Sequence, residues 1–137
     1  MRNKAPLAII EQVIMLLVFA LATVLCLKAF VWADTRSLES AQRDNAIVQA
    51  QSAAETLKSC GDYALSAELF GGTWDENTWT VQYDSDWNQT TSDGAFILKV
   101  SPQESKLKYL STASVEVFKD DTNLASLHVS WQEVAYE

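Results

Sequence analysis

From Val13 to Leu27 the chain is an unbroken apolar run, interrupted only by the weakly polar Thr23. Extended to Leu7 at one end and Ala33 at the other, the run admits Glu11, Gln12 and Lys28 and becomes long enough, as a helix, to cross the roughly 30 Å hydrocarbon layer of a bilayer. Residues 7–33 therefore read as a transmembrane helix, with Lys28 able to carry its ammonium outward along its own aliphatic stem. No Gly or Pro occurs between Leu7 and Cys60, so the same helix is expected to continue beyond the apolar run. There it turns amphipathic: Ile47, Ala50, Ala54, Leu57, Gly61 and Ala64 recur at three- and four-residue spacings, and Ala46, Ala53 and Cys60 widen the stripe. The stripe is made of small residues, which lets a second layer approach closely. Gly61 followed by Asp62 marks an end or a kink, with Asp62 placed to cap a short second helix reaching Phe70, and Gly71-Gly72 stops helix outright.

After Gly72 the period changes from about 3.6 to 2. Trp79, Val81 and Tyr83 alternate with polar neighbours as a first strand, and a polar loop runs from Asp84 to Asp93. Phe96, Leu98 and Val100 alternate as a second strand until Pro102, which is expected to break it. Ala113, Val115 and Val117 mark a third strand, and after a turn over Lys119 to Asn123 the residues Ala125, Leu127, Val129 and Trp131 mark a fourth. One face of each strand is apolar, so the expected fold class is α+β: a long N-terminal helix, membrane half plus amphipathic half, packed on a four-stranded antiparallel β-meander. The organisation read from the chain is a short basic leader or cytoplasmic tail over residues 1–6, a transmembrane helix over 7–33, and one domain over 34–137 with helix to residue 70 and strands from 73.

Charge adds a direction to this layout. Arg2, Lys4 and the amino terminus precede the apolar run, which places the N-terminus in the cytoplasm and everything from Asp34 onward outside it. All 18 acidic residues except Glu11 follow Ala33, against Arg36, Arg43, Lys58, Lys99, Lys106, Lys108 and Lys119. The outer part thus carries a formal charge of about −10, unsuited to nucleic acid and suited to keeping a small domain soluble. Cys26 lies inside the apolar run and Cys60 beyond it, so the 2 cysteines supply no disulfide framework within the chain and no metal-binding spacing. A cleaved secretory signal ending at Val31-Trp32-Ala33 fits the charge-then-apolar order, but the length of the segment and the acidic Glu11 speak against it. A lipid anchor at Cys26 fits worse, because the bulky Leu25 precedes it.

A long helix with an apolar first half and a second half laid on an antiparallel meander resembles type IV pilins and the pseudopilins of type II secretion and competence systems. The basic leader Met1-Arg2-Asn3-Lys4-Ala5 and the segment Leu7-Ala8-Ile9-Ile10-Glu11 carry the likeness. In that family a prepilin peptidase removes a leader ending in a small residue, the new terminus is methylated, and a glutamate stands fifth in the mature chain. Counting back from Glu11 makes Leu7 the first mature residue. Pro6 then occupies the position before the cut, where the family prefers Gly, and a cut after Ala5 instead leaves Pro6 first and Glu11 sixth. The resemblance implies a non-enzymatic, minor subunit of a pilus or secretion filament, anchored as a single-pass membrane protein before assembly and displayed at the cell surface after it. Its implied partners are the lipid bilayer, other pilin-like subunits met through the N-terminal helix, and the prepilin peptidase, with Ala5, Pro6, Leu7 and Glu11 as the processing and assembly residues. Glu11 would neutralise a neighbouring subunit's terminal amine, or else simply mark a hydrated membrane edge. The other reading is a membrane-tethered binding or sensing module that is neither processed nor assembled.

Other chemistry is sparse. The single histidine, His128, falls on the strand face opposite Leu127, Val129 and Trp131 and lacks a recognisable catalytic partner. Asp84, Asp86, Asn88 and Asp93 place oxygen ligands at alternating and following loop positions, as a calcium site would want, and some pseudopilins hold calcium in a β-loop. The EF-hand pattern fails, because Gln89 takes the glycine position and Ala95 the terminal glutamate position. No cofactor other than calcium is suggested, and no catalytic set. Trp32 suits a membrane interface, Trp79 and Trp131 fall on core faces, and Trp74 and Trp87 fall in loops as either packing caps or subunit contacts.

Overall fold

A computed structural model of the chain describes residues 4–133; Met1, Arg2 and Asn3 of the expected leader, and the last residues of the expected strand region, lie outside the described residues. The fold class is α+β, with one long N-terminal helix and an antiparallel sheet. Helix α1 is Ala5–Cys60 and helix α2 is Tyr63–Phe70. The strands are β1 Thr73–Asp75, β2 Thr78–Tyr83, β3 Gln89–Thr90, β4 Phe96–Gln103, β5 Leu110–Lys119 and β6 Thr122–Gln132. The chain divides into two compact units, residues 1–40 and 41–137.

From Ala5 to Ser40 the first unit is helix. Every residue from Lys4 to Ser40 is exposed. Its apolar stretch is long and apolar enough to cross a membrane. At about 1.5 Å per residue, residues 7–33 reach about 40 Å, more than the hydrocarbon layer requires.

The second unit forms two layers. The end of α1 is laid on the sheet through Ala46, Ala50, Ala53, Ala54 and Leu57, all buried, and only Leu57 among them is large. Ile47, expected on this seam, sits at its border with 37% of its surface exposed. At about 100° per residue the buried residues run around the helix in the order Ala53, Ala46, Leu57, Ala50, Ala54, and Ile47 lies beyond Ala54. Gly61 and Ala64 are exposed, against expectation, because Gly61 takes φ +68° and the helical phase is lost there. The Gly61 N–H donates to the Leu57 carbonyl at 2.8 Å, closing α1 in a left-handed C-cap. Asp62 then caps α2 as expected, its carboxylate accepting from the Leu65 N–H at 2.8 Å.

The strand order is β1-β2-β4-β5-β6, all antiparallel, with β3 also on β2. β1 and β3 share the edge of β2 that faces away from β4, since β4 pairs with Trp79 to Tyr83 along the other edge. The four expected strands correspond to β2, β4, β5 and β6. The sheet has two further strands, because Thr73-Trp74-Asp75 turns back on β2 through Glu76 and Asn77, both at positive φ, and the polar loop contributes Gln89-Thr90. Pro102 does not end β4; it pairs with Ala113 in a strand that continues to Gln103. The ladder alternation turns its nitrogen away from β5, and β2 reaches only to Val100, so no bond is lost.

The core faces match the alternation. Trp79, Val81, Tyr83, Phe96, Leu98, Val100, Ala113, Val115 and Val117 are buried together with Ala125 and Trp131, whereas Leu127 and Val129 on β6 are half-buried at the edge of the sheet. Aromatic contacts close the ends. Trp79 donates its indole N–H to the Gly71 carbonyl and packs edge-on to Phe70 at 5.6 Å, while the Gln89 amide donates to the Phe70 carbonyl, so the last carbonyl of α2 and that of its cap Gly71 are both held by strand residues. Gly72, at φ +96°, runs so close to Thr80 that a Cβ would strike its carbonyl oxygen.

Overpacking tests the alanine seam. Ala50→Leu should lower the stability of the detergent-solubilised chain by about 1–3 kcal/mol, read as the urea midpoint of tryptophan fluorescence. Val48→Ala, at an exposed helix position, should change it by less than about 0.5 kcal/mol.

Candidate functional site

The residues expected to act in processing and assembly lie at the start of α1. Ala5 opens the helix and Pro6 occupies its first turn, where a missing N–H costs nothing. The Ala8 N–H donates to the Lys4 carbonyl at 3.3 Å, so the helix is already closed across Leu7. Leu7 and Glu11 are exposed, and Glu11 stands among exposed Ile9, Ile10, Val13 and Ile14. The one ion pair among the described residues joins Arg36 to Glu39 at 3.9 Å, so Glu11 has no cationic partner within them. Beyond the far end of the apolar run, the Arg36 guanidinium lies 5.5 Å from the centroid of the Trp32 ring, combining an indole with the first cation after Lys28. Cys26 and Cys60 are both free thiols.

The residues considered for calcium lie in the hairpin from β2 to β4. Asp84 turns one carboxylate oxygen into its own loop, accepting from the N–H groups of Asp86 and Asn88 at 2.9 Å each. Its backbone N–H donates to the Asn88 carbonyl, continuing the β2–β3 ladder. Asp86, Asn88 and Asp93 are exposed, and Asp93 takes φ +32° just before Gly94. Among the described residues no three His, Cys, Asp or Glu side chains gather as a metal centre would need. What holds this loop is Trp87, whose ring stacks on Phe96 with centroids 4.0 Å apart and also meets Tyr83 at 5.8 Å.

Trp74 likewise packs: it lies on β1, stacked on Tyr63 of α2 at 4.7 Å, and Tyr63 meets Trp131 edge-on at 5.9 Å. Both tryptophans placed in loops by sequence are therefore packing residues of the second unit. His128 is exposed on β6, opposite Ser114 of β5. Two features carry no signal in the sequence. The Tyr83 hydroxyl and the Trp131 indole N–H are buried without a hydrogen-bond partner among the described residues. Burial pushes the Tyr83 phenol up to about 12, and burial together with the nearby Glu133 carboxylate raises that of Tyr63.

Comparison of the chain with protein-family models, with curated proteins and with solved structures finds no match in any of the three.

The orphaned hydroxyl makes a stability prediction. Tyr83→Phe should raise stability near neutral pH by about 1 kcal/mol, because it removes an unsatisfied buried group. Because the folded-state value lies above the ordinary one near 10, stabilisation by the neutral phenol is complete below pH 10 and lost as the pH rises through about 12. Urea midpoints across that window should fall less steeply for the Phe variant than for the parent, with Tyr63 supplying a residual slope.

Proposed function

We propose that this chain is a pilin-like, non-enzymatic subunit, a minor component of a type IV pilus, competence or type II secretion-like filament, held in the membrane by residues 7–33 before assembly. The observation that carries this reading is the stretch 7–33: an apolar helix with no buried residue, containing a single carboxylate, Glu11, that has no cationic partner among the described residues. Such a surface needs hydrocarbon around it. A lone carboxylate near one end of it costs up to about 3 kcal/mol at the bilayer centre and less near the edge. That cost is offset if a neighbouring subunit brings a terminal amine to it. The basic residues Arg2 and Lys4 support a cytoplasmic N-terminus and a second unit on the outer side. Continuation of α1 into an alanine seam on an antiparallel sheet supports the same architecture.

Pro6 favours a second reading. It stands where a prepilin peptidase would want a small residue, and a chain that keeps its leader would be a permanently anchored, single-pass binding or sensing module.

Two measurements separate the readings. The N-terminal sequence of the protein recovered from host membranes should begin at Pro6 or Leu7 if it is processed, and at Met1 if it is a permanent anchor. Glu11→Ala should leave the amount of membrane-bound protein unchanged and abolish its appearance in sheared surface fractions or pelleted filaments. Unaltered filament incorporation of that variant would remove the assembly role from Glu11.

A further inference from the structure

Where the apolar run of α1 gives way to polar sequence, one face of the helix is organised differently from the rest. Val24, Leu27, Lys28, Val31, Trp32 and Thr35 line a single groove there. At about 100° per residue these positions cover little more than a third of the circumference, so they form one face. The Thr35 hydroxyl donates back to the Val31 carbonyl at 2.9 Å, which leaves Lys28 as the one polar group of the groove with a free donor besides the indole N–H.

Two cations bracket Trp32. Lys28 stands one turn before it, and its ammonium has no carboxylate partner among the described residues. Arg36 stands one turn beyond it and reaches back, so that its guanidinium lies 5.5 Å from the centroid of the Trp32 ring. Carboxylates do little to neutralise this face. Asp34 lies about 200° around the helix from Trp32, on the other side. Glu39 meets Arg36 at 3.9 Å, but both side chains are mostly exposed, and one such loose contact leaves most of the guanidinium donors free.

We propose that this face binds one anionic phospholipid of the leaflet next to Ala33. Its phosphate lies between Lys28 and Arg36 at the level of Trp32, and an acyl chain runs along the groove past Val31, Leu27 and Val24. The assignment rests on residues 7–33 spanning the bilayer and adds a site to that reading. The chemistry of the face selects the occupant: a groove that is apolar at one end and doubly cationic at the other matches a ligand with a hydrocarbon chain below an anion. Lys28 reaches the phosphate along its own aliphatic stem, and the Arg36 fork suits phosphate oxygens. A choline headgroup fits less well, because Arg36 already occupies the Trp32 ring that a quaternary ammonium would seek and repels it besides. A second copy's apolar helix offers these cations no anion unless it is shifted far enough along the axis to present Glu11, its one carboxylate over 7–33.

Fluorescence quenching of Trp32 tests the site. The full-length chain is reconstituted at low density in phosphatidylcholine vesicles in which a fixed fraction of the lipid, either phosphatidylglycerol or phosphatidylcholine, carries bromine on its acyl chains. A Trp32→Phe chain supplies the background from the other tryptophans. Brominated phosphatidylglycerol should quench Trp32 as though enriched about five-fold over phosphatidylcholine, the effect expected of a cation close to an anionic headgroup. The enrichment should fall to parity in the Lys28→Gln, Arg36→Gln double variant, whose changes are at exposed positions. Arg43→Gln, at another exposed position further along α1, removes the same charge as Arg36→Gln and should leave the enrichment unchanged. Equal quenching of the parent by the two lipids, or an equal loss in the Arg43→Gln chain, overturns the site and leaves the membrane reading standing. Quenching by neither lipid overturns the membrane reading and the site with it.

Discussion

The constraint on which the rest of this structure depends is that no side chain between Lys4 and Ser40 is buried, although most of that stretch is apolar. Apolar area on this scale is far beyond the few hundred Å² that a soluble monomer exposes. Residues 7–33 are long and apolar enough to cross a membrane, and a helix, which satisfies its backbone groups internally, is a form that hydrocarbon accepts. The same helix continues past Ser40 into the second unit. After Ser40 four of its five buried positions are alanine. Leu57 is the one large helix residue buried on the sheet, and the bulk of the core comes from the strands.

Much of this was legible because side-chain period reports directly on which face is covered. The alternation of Trp79, Val81 and Tyr83, and of the later strands, required no knowledge of neighbours, and the glycines and Asp62 marked the helix ends by backbone chemistry alone. The failures are of a different kind. Thr73-Trp74-Asp75 and Gln89-Thr90 are too short to show a period, and they exist as strands because β2 offers them an edge. Pro102 looks like a breaker in one dimension and is harmless in three, where β2 stops short of it. Ile47, expected on the seam, sits at its border because it lies beyond Ala54 around the helix, on the side away from Leu57.

At the candidate site the sequence located the residues and left their environment unread. Glu11 could be found as the one carboxylate in an apolar run. That it has no partner among the described residues required coordinates. The loop from Asp84 to Asp93 has the composition of a cation site, yet its organisation rests on Asp84 accepting two backbone amides and on Trp87 lying over Phe96. The depth of Tyr83 and Trp131, which leaves a hydroxyl and an indole N–H without partners, depends on how the helix layer closes over the sheet. The position of β6 at the edge of the sheet depends on strand order, which periodicity does not contain.

The central claim, that residues 7–33 lie in hydrocarbon in the native protein, is tested most directly at Cys26. In a Cys60→Ser chain held in native membrane vesicles, a membrane-impermeant maleimide should leave Cys26 unmodified, and should modify it only after the membrane is dissolved and the chain denatured. Cys26 is exposed on the helix, so it is open to the reagent unless lipid surrounds it. Full modification in intact vesicles would mean that the helix meets water, and would contradict the account.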